Sequence, residues 1–211
     1  MKLVAKIKRR LFPPPTILDG YEQPELIDVI FRKTLAYVPQ GDWPEMHGVS
    51  SVLDFGGGAG LHYKEANLPN ARWAVVETKA MVDRAMEIAT DSLHFFPSVK
   101  EAVDWLGSVD LMYSDGAIQY TPDPMQVVRE LCSVGAQKLI WRRVFFSKTP
   151  RVEIQSSYLG DNGPGTIDVA EKTVRYKRVS ISESDFMAAH NSYSLDDRGD
   201  DWFRFQITRT I

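Results

Sequence analysis

Residues 56 to 60 hold four glycines in five positions, within the run Asp54-Phe55-Gly56-Gly57-Gly58-Ala59-Gly60. Each glycine would weaken a helix or strand interior, so the run is a turn. Its flanks define what the turn joins. Ser51-Val52-Leu53-Asp54-Phe55 has the short apolar character of a buried strand, and residues 61–67 have helical character. The glycines therefore connect a strand to a helix, the repeating joint of an α/β protein.

The same order recurs downstream. Residues 72–77 read as a second strand, with a helix over 80–89, and residues 93–96 as a third, with a helix over 99–106. A fourth strand over 109–114 precedes a helix over 125–133, and residues 138–145 form a fifth strand. Repeated strand-helix units imply a doubly wound, mainly parallel sheet with right-handed crossovers and helices on both faces. Ligands of such sheets sit at the carboxyl ends of the strands, where the strand order switches. Upstream, Leu26, Ile27, Val29, Ile30, Leu35 and Val38 space an amphipathic helix over residues 23–38, suited to covering a site or to plain packing. After Phe146 the rhythm breaks. Residues 158–165 read as a flexible, turn-rich loop, 174–179 as a strand and Ser182 as a helix cap, and 192–195 pairs with 202–208 as a closing antiparallel hairpin.

Hydrophobic residues at 44% and charged residues at 25% are ordinary for a globular protein. We expect a basic segment with a Pro-rich connection over residues 1–17 and one domain over 18–211. Lys2, Lys6, Lys8, Arg9 and Arg10 concentrate positive charge at the start, and the remaining residues carry 20 of the 25 basic groups against all 28 acidic ones. That acidic balance argues against a nucleic-acid partner. Residues 1–12 suit either a basic amphipathic helix making weak peripheral contact with anionic lipid or a solvated lead-in. The lone Cys132 offers no disulfide or paired metal ligand and fits a cytoplasmic location. Anionic vesicles are expected to bind the full chain and not one lacking residues 1–12; equal binding by both would remove the lipid reading.

The glycine loop allows close approach of a ligand, and the helix that follows offers unpaired N–H groups. Its spacing separates the ligand classes. A dinucleotide loop needs its third glycine at position 61, which is Leu, and a phosphate-binding P-loop needs a Gly-Lys-Ser/Thr that is absent. Asp54 would repel a pyrophosphate and would suit a ligand carrying a positive sulfonium and amino group. A glycine turn that merely packs strand on helix is the alternative. Glu77 weighs against that alternative, because a carboxylate ending the second strand, about 20 residues beyond the loop, suits ribose hydroxyls.

Residues 51–60, Val75-Val76-Glu77-Thr78 and the stretch from Asp110 to Tyr120 resemble class I S-adenosylmethionine-dependent methyltransferases. More narrowly, Gly116-Ala117-Ile118-Gln119-Tyr120 is similar to a bacterial family linked to surface-polysaccharide genes. The resemblance covers roughly residues 18–146. It implies S-adenosylmethionine as cofactor, a seven-stranded Rossmann-like sheet with a C-terminal antiparallel hairpin, and a small-molecule or sugar-containing acceptor. It places cofactor contacts at Asp54, Phe55, Gly56, Gly57, Gly58, Gly60, Glu77, Thr78, Phe96, Ser114, Asp115 and Gly116. Where many relatives have an acidic residue at the end of the third strand, this chain offers Phe96 and Ser98, so stacking and backbone contacts would hold the adenine.

Methyl transfer from a sulfonium is an in-line displacement that needs alignment, and a base only when the nucleophile is protonated. Asp115, after the fourth strand, is the candidate catalytic group, with a turn-capping role as its alternative. His62, Gln119, Tyr120 and Arg143 are candidate substrate contacts, and Arg142 and Arg143 together could attract an anionic group. The four histidines show no paired ligand spacing, so no metal is expected. A non-catalytic protein that binds the cofactor is the competing reading.

Overall fold

A computed structural model describes residues 17–40, 43–68 and 70–208. The basic N-terminal segment and its expected lipid contact lie outside the described residues. A seven-stranded sheet is built from β2 (Ser51–Phe55), β3 (Arg72–Val76), β4 (Leu93–Phe96), β5 (Leu111–Asp115), β6 (Lys138–Arg142), β9 (Tyr193–Arg198) and β10 (Trp202–Ile207), in the order β4-β3-β2-β5-β6-β10-β9. The first five strands run parallel, and β10 is antiparallel to both β6 and β9. The expected α/β sheet with a terminal hairpin is present. Because β2 pairs with both β3 and β5, the order switches beside it. The glycine turn leaves the sheet at that switch.

Strand alternation sends successive side chains to opposite faces. Val52, Trp73, Val75, Leu111 and Tyr113 pack with α1 (Pro24–Ala36) and α3 (Lys79–Ala85), with Ala59 ahead of α2 (Leu61–Ala66) in the same cluster. Leu53, Ala74, Val76, Met112 and Leu139 pack with α4 (Val99–Leu106), α5 (Pro124–Ser133) and α6 (Glu183–Ala188). Side chains start most of these helices: Thr78 Oγ1, Ser98 Oγ, Asp123 Oδ1 and Ser182 Oγ each accept an N–H three residues on. The fifth strand stops at Arg142, short of the expected Phe145. Arg143 takes a positive φ of 50°, and its N–H donates to Asp201 O at 2.6 Å instead of continuing the parallel ladder.

A second, three-stranded sheet joins β1 (Ile17–Asp19), β8 (Thr173–Val179) and β7 (Val152–Tyr158). It packs on the opposite side of α1. Ile27 and Phe31 face the large sheet, whereas Leu26 and Val29 meet Leu159, Val174 and Tyr176. The glycine-rich segment after β7 is fixed to α1: Lys33, 2% exposed, donates Nζ to Gly160 O at 2.9 Å and to Asn162 O at 2.6 Å. The expected flexible loop is thus a clamped one. Among the described residues, no helix is long and apolar enough to cross a membrane.

Replacing Lys33 with Met keeps the apolar stem but leaves two carbonyls without their donor, at a cost of about 1–3 kcal/mol. A lower urea midpoint with an unchanged slope is expected, together with faster amide exchange over residues 159–164. Wild-type values for both would contradict the clamp.

Candidate active site

A cavity of about 470 Å³ opens at the carboxyl edge of the large sheet. Phe55, Gly56, Gly57 and Gly58 enter it from the end of β2, Glu77 and Thr78 from that of β3, Pro97 from that of β4, Asp115 and Gly116 from that of β5, and Arg143 from that of β6. Ile30 and Thr34 of α1 cover it with Tyr21, and Asn162, Gly163 and Pro164 close one side.

The glycines are there for space. A Cβ on Gly57 would lie 2.1 Å from Asp54 Oδ2, and one on Gly56 would lie 2.1 Å from Ala117 Cβ. Asp54 cannot move aside, since it is fully buried. Its carboxylate accepts from Trp73 Nε1 at 3.1 Å and contacts His62 Nδ1 at 2.9 and 3.0 Å. Asp54 therefore lies beneath the loop instead of against the cavity, and its charge reaches the cavity through His62, which does line it.

Two opposing effects act on His62. Burial alone would lower its pKa, but the charge and hydrogen bond of Asp54, with the charge of Asp115, outweigh burial and hold it above the ordinary 6.5. The ring also packs edge-on against Tyr113 at 4.8 Å. Glu77 closes the other side of the loop. Its Oε1 accepts the Gly58 N–H at 3.1 Å and its Oε2 the Thr78 N–H at 2.8 Å. Burial pushes its pKa up against those two amide bonds. Each oxygen keeps a further lone pair, so the carboxylate can accept from vicinal hydroxyls in the cavity.

Asp115 Oδ1 accepts from Arg143 Nε at 2.5 Å, so this carboxylate is already engaged by a guanidinium. Gln119 is 6% exposed and does not line the cavity; its Nε2 donates to Arg143 O and holds that residue in its left-handed conformation. Tyr120 does line it, with Tyr21 at a ring distance of 4.9 Å, and donates its hydroxyl to Gln155 Oε1. Burial, then the neighbouring Tyr176 and Tyr120, keeps the Tyr21 phenol far above its ordinary pKa, so it stays a neutral hydroxyl. Three further expected cofactor contacts lie outside the lining. Gly60 backs onto Leu93, Phe96 packs with His94 and Trp105, and Ser114 is buried in β5. Tyr21, Thr34, Met81, Pro97, Thr121, Asn162, Gly163 and Pro164 line the cavity without having been singled out from the sequence. The covering helix alone had a visible signal, its amphipathic spacing. Among the described residues no cluster of three or more histidine, cysteine or acidic groups is placed to hold a metal.

Because the His62 pKa is raised in the folded state, its contribution to stability is full below the ordinary 6.5 and is lost as pH rises through the raised value. Relative to His62→Gln, the wild type is therefore expected to be favoured most in acid, with the advantage fading toward alkaline pH. An NMR titration of the His62 ring checks this directly; a midpoint at or below 6.5 would contradict it.

No family model matches the chain, and no curated protein matches it in sequence. Solved structures are similar to it in fold. The CcbJ methyltransferase from Streptomyces caelestis is similar over 93% of this chain and 91% of its own, with 10% identity and a TM-score of 0.54. The PH0226 protein from Pyrococcus horikoshii OT3 is similar over 78% of this chain and 86% of its own, with 12% identity and a TM-score of 0.52. The chain has the fold of a solved methyltransferase.

Proposed function

We propose that the cavity binds S-adenosylmethionine and that the protein transfers its methyl group to a small-molecule acceptor. The observation that carries this reading is the convergence of a Cβ-free loop and the Glu77 carboxylate on one cavity, within a fold shared with a methyltransferase. A volume of about 470 Å³ lies within the roughly 300–1,000 Å³ of small-molecule sites. The donor set suits the ligand. Glu77 would accept the ribose hydroxyls, and the loop at Gly56, Gly57 and Gly58 would let the methionyl portion lie against the backbone. Leu at position 61 disfavours a dinucleotide.

When bound, the cofactor supplies an electrophilic methyl group on a sulfonium. The chain's own residues do the rest. Tyr21, Ile30 and the clamped segment at Asn162, Gly163 and Pro164 exclude water from the cavity. Asp115 and Arg143, with the Tyr120 ring, form its polar end and would orient the acceptor nucleophile, Asp115 holding a hydroxyl or amine proton. A sugar-containing acceptor fits the resemblance to methyltransferases linked to surface-polysaccharide genes, and the side-by-side carboxylate, guanidinium and phenols suit a polyhydroxylated molecule.

Titration calorimetry with S-adenosylhomocysteine, S-adenosylmethionine and NAD tests the cofactor assignment. Binding of the first two and not of NAD is expected. Glu77→Ala should weaken S-adenosylhomocysteine by about 10- to 100-fold, as loss of a charged hydrogen-bond acceptor predicts, and Gly58→Arg should abolish binding by filling the cavity. Absence of binding to the wild type, or unchanged affinity in both variants, would overturn the proposal.

A further inference from the structure

A second cavity of about 130 Å³ lies beside β5, β6 and β10, lined by Trp43, Glu45, Tyr113, Ile140, Arg142, Trp202 and Arg204. It is several times the roughly 30 Å³ share of one water and well below the roughly 300 Å³ of the smallest drug-like pockets. Its size suits a small ion or the charged tip of a larger molecule.

The ion pairs around it leave one cation out. Arg143, next in the chain, is paired with Asp115, and Arg204 is paired with Asp196 and Asp197. Arg142 forms no ion pair with any described residue, and its Nε is buried without a hydrogen-bond partner. The Tyr113 hydroxyl is the polar group beside it. Arg142 and Trp202 are direct partners across the β6–β10 ladder, so both side chains project from the same face of the sheet. Glu45 shares the lining but makes no ion pair with Arg142, and a partly buried guanidinium without a direct partner is costly unless something supplies one; its planar fork matches a carboxylate or phosphate.

We propose that this second cavity is a binding site for a small oxyanion, a carboxylate or phosphate group, held by the Arg142 guanidinium and the Tyr113 hydroxyl. The site is separate from the cofactor cavity and does not depend on its assignment. Tyr113 stands between the two, since its ring packs on His62. Glu45 is the acidic residue in the lining and opposes anion binding, which makes it a control of the opposite sign.

Inorganic phosphate and acetate, titrated calorimetrically into the full chain at constant ionic strength against chloride, test the site and distinguish the two anion classes. Saturable binding of at least one is expected. Arg142→Gln should weaken it by tenfold or more, Arg142→Lys by less because it keeps the charge and loses the fork, and Glu45→Gln should tighten it. S-adenosylhomocysteine affinity in Arg142→Gln should match the wild type, which separates this site from the first. No saturable binding of either anion, or equal affinity in wild type and Arg142→Gln, would overturn the proposal.

Discussion

The buried carboxylate of Asp54 is the constraint on which the candidate site depends. Taking an ionised carboxylate out of water costs several kcal/mol unless donors replace the lost hydration. Here Trp73 Nε1 and His62 Nδ1 replace it, so one carboxylate ties β2 to β3 and to the first turn of α2. The same oxygens lie where a Cβ on Gly57 would be, which forces that position to be glycine and flattens the loop above. With the loop held from below, the Gly58 N–H reaches Glu77 and fixes the second carboxylate at the rim.

The charges that follow from this arrangement bear on the ligand. Asp54 is matched by His62 and Asp115 by Arg143, whereas Glu77 has amide donors and no cation. Of the carboxylates lining the cavity, Glu77 is therefore the one without an ion pair among the described residues. A carboxylate so placed favours a cationic, hydroxyl-bearing ligand over a pyrophosphate, by simple Coulombic preference in a partly dehydrated space. The sulfonium cofactor has both properties.

How much of this was legible in the sequence depended on where the information lay. Strands β2 to β6 could be read because their apolar runs are largely buried, on alternate residues in the edge strand β4, and are separated by helical stretches of local pattern. In the small sheet only β8 could, as the strand expected over residues 174–179; β1 and β7 could not. Val152 and Ile154 in β7 are each 62% exposed, so the strand carries no apolar stripe toward a core. Strand β1 is three residues long and pairs with β8 across more than 150 residues of chain. The site divides along the same line. Gly56, Gly57, Gly58, Glu77 and Asp115 follow strand ends and were visible as such. Tyr21 reaches the cavity packed on the Tyr120 and Tyr176 rings, and the segment at Asn162, Gly163 and Pro164 through the Lys33 clamp, tertiary contacts with no local signature. Asp54 was singled out for its charge, and its burial under Gly57 and against Trp73 shows in three dimensions alone.

A crystal structure grown with S-adenosylhomocysteine measures the central claim most directly. The account predicts the ligand in the 470 Å³ cavity, with its ribose hydroxyls on Glu77 and its methionyl portion against Gly56, Gly57 and Gly58. Crystals that exclude the ligand from that cavity, or that place it with no contact to Glu77 or the glycine loop, would contradict it.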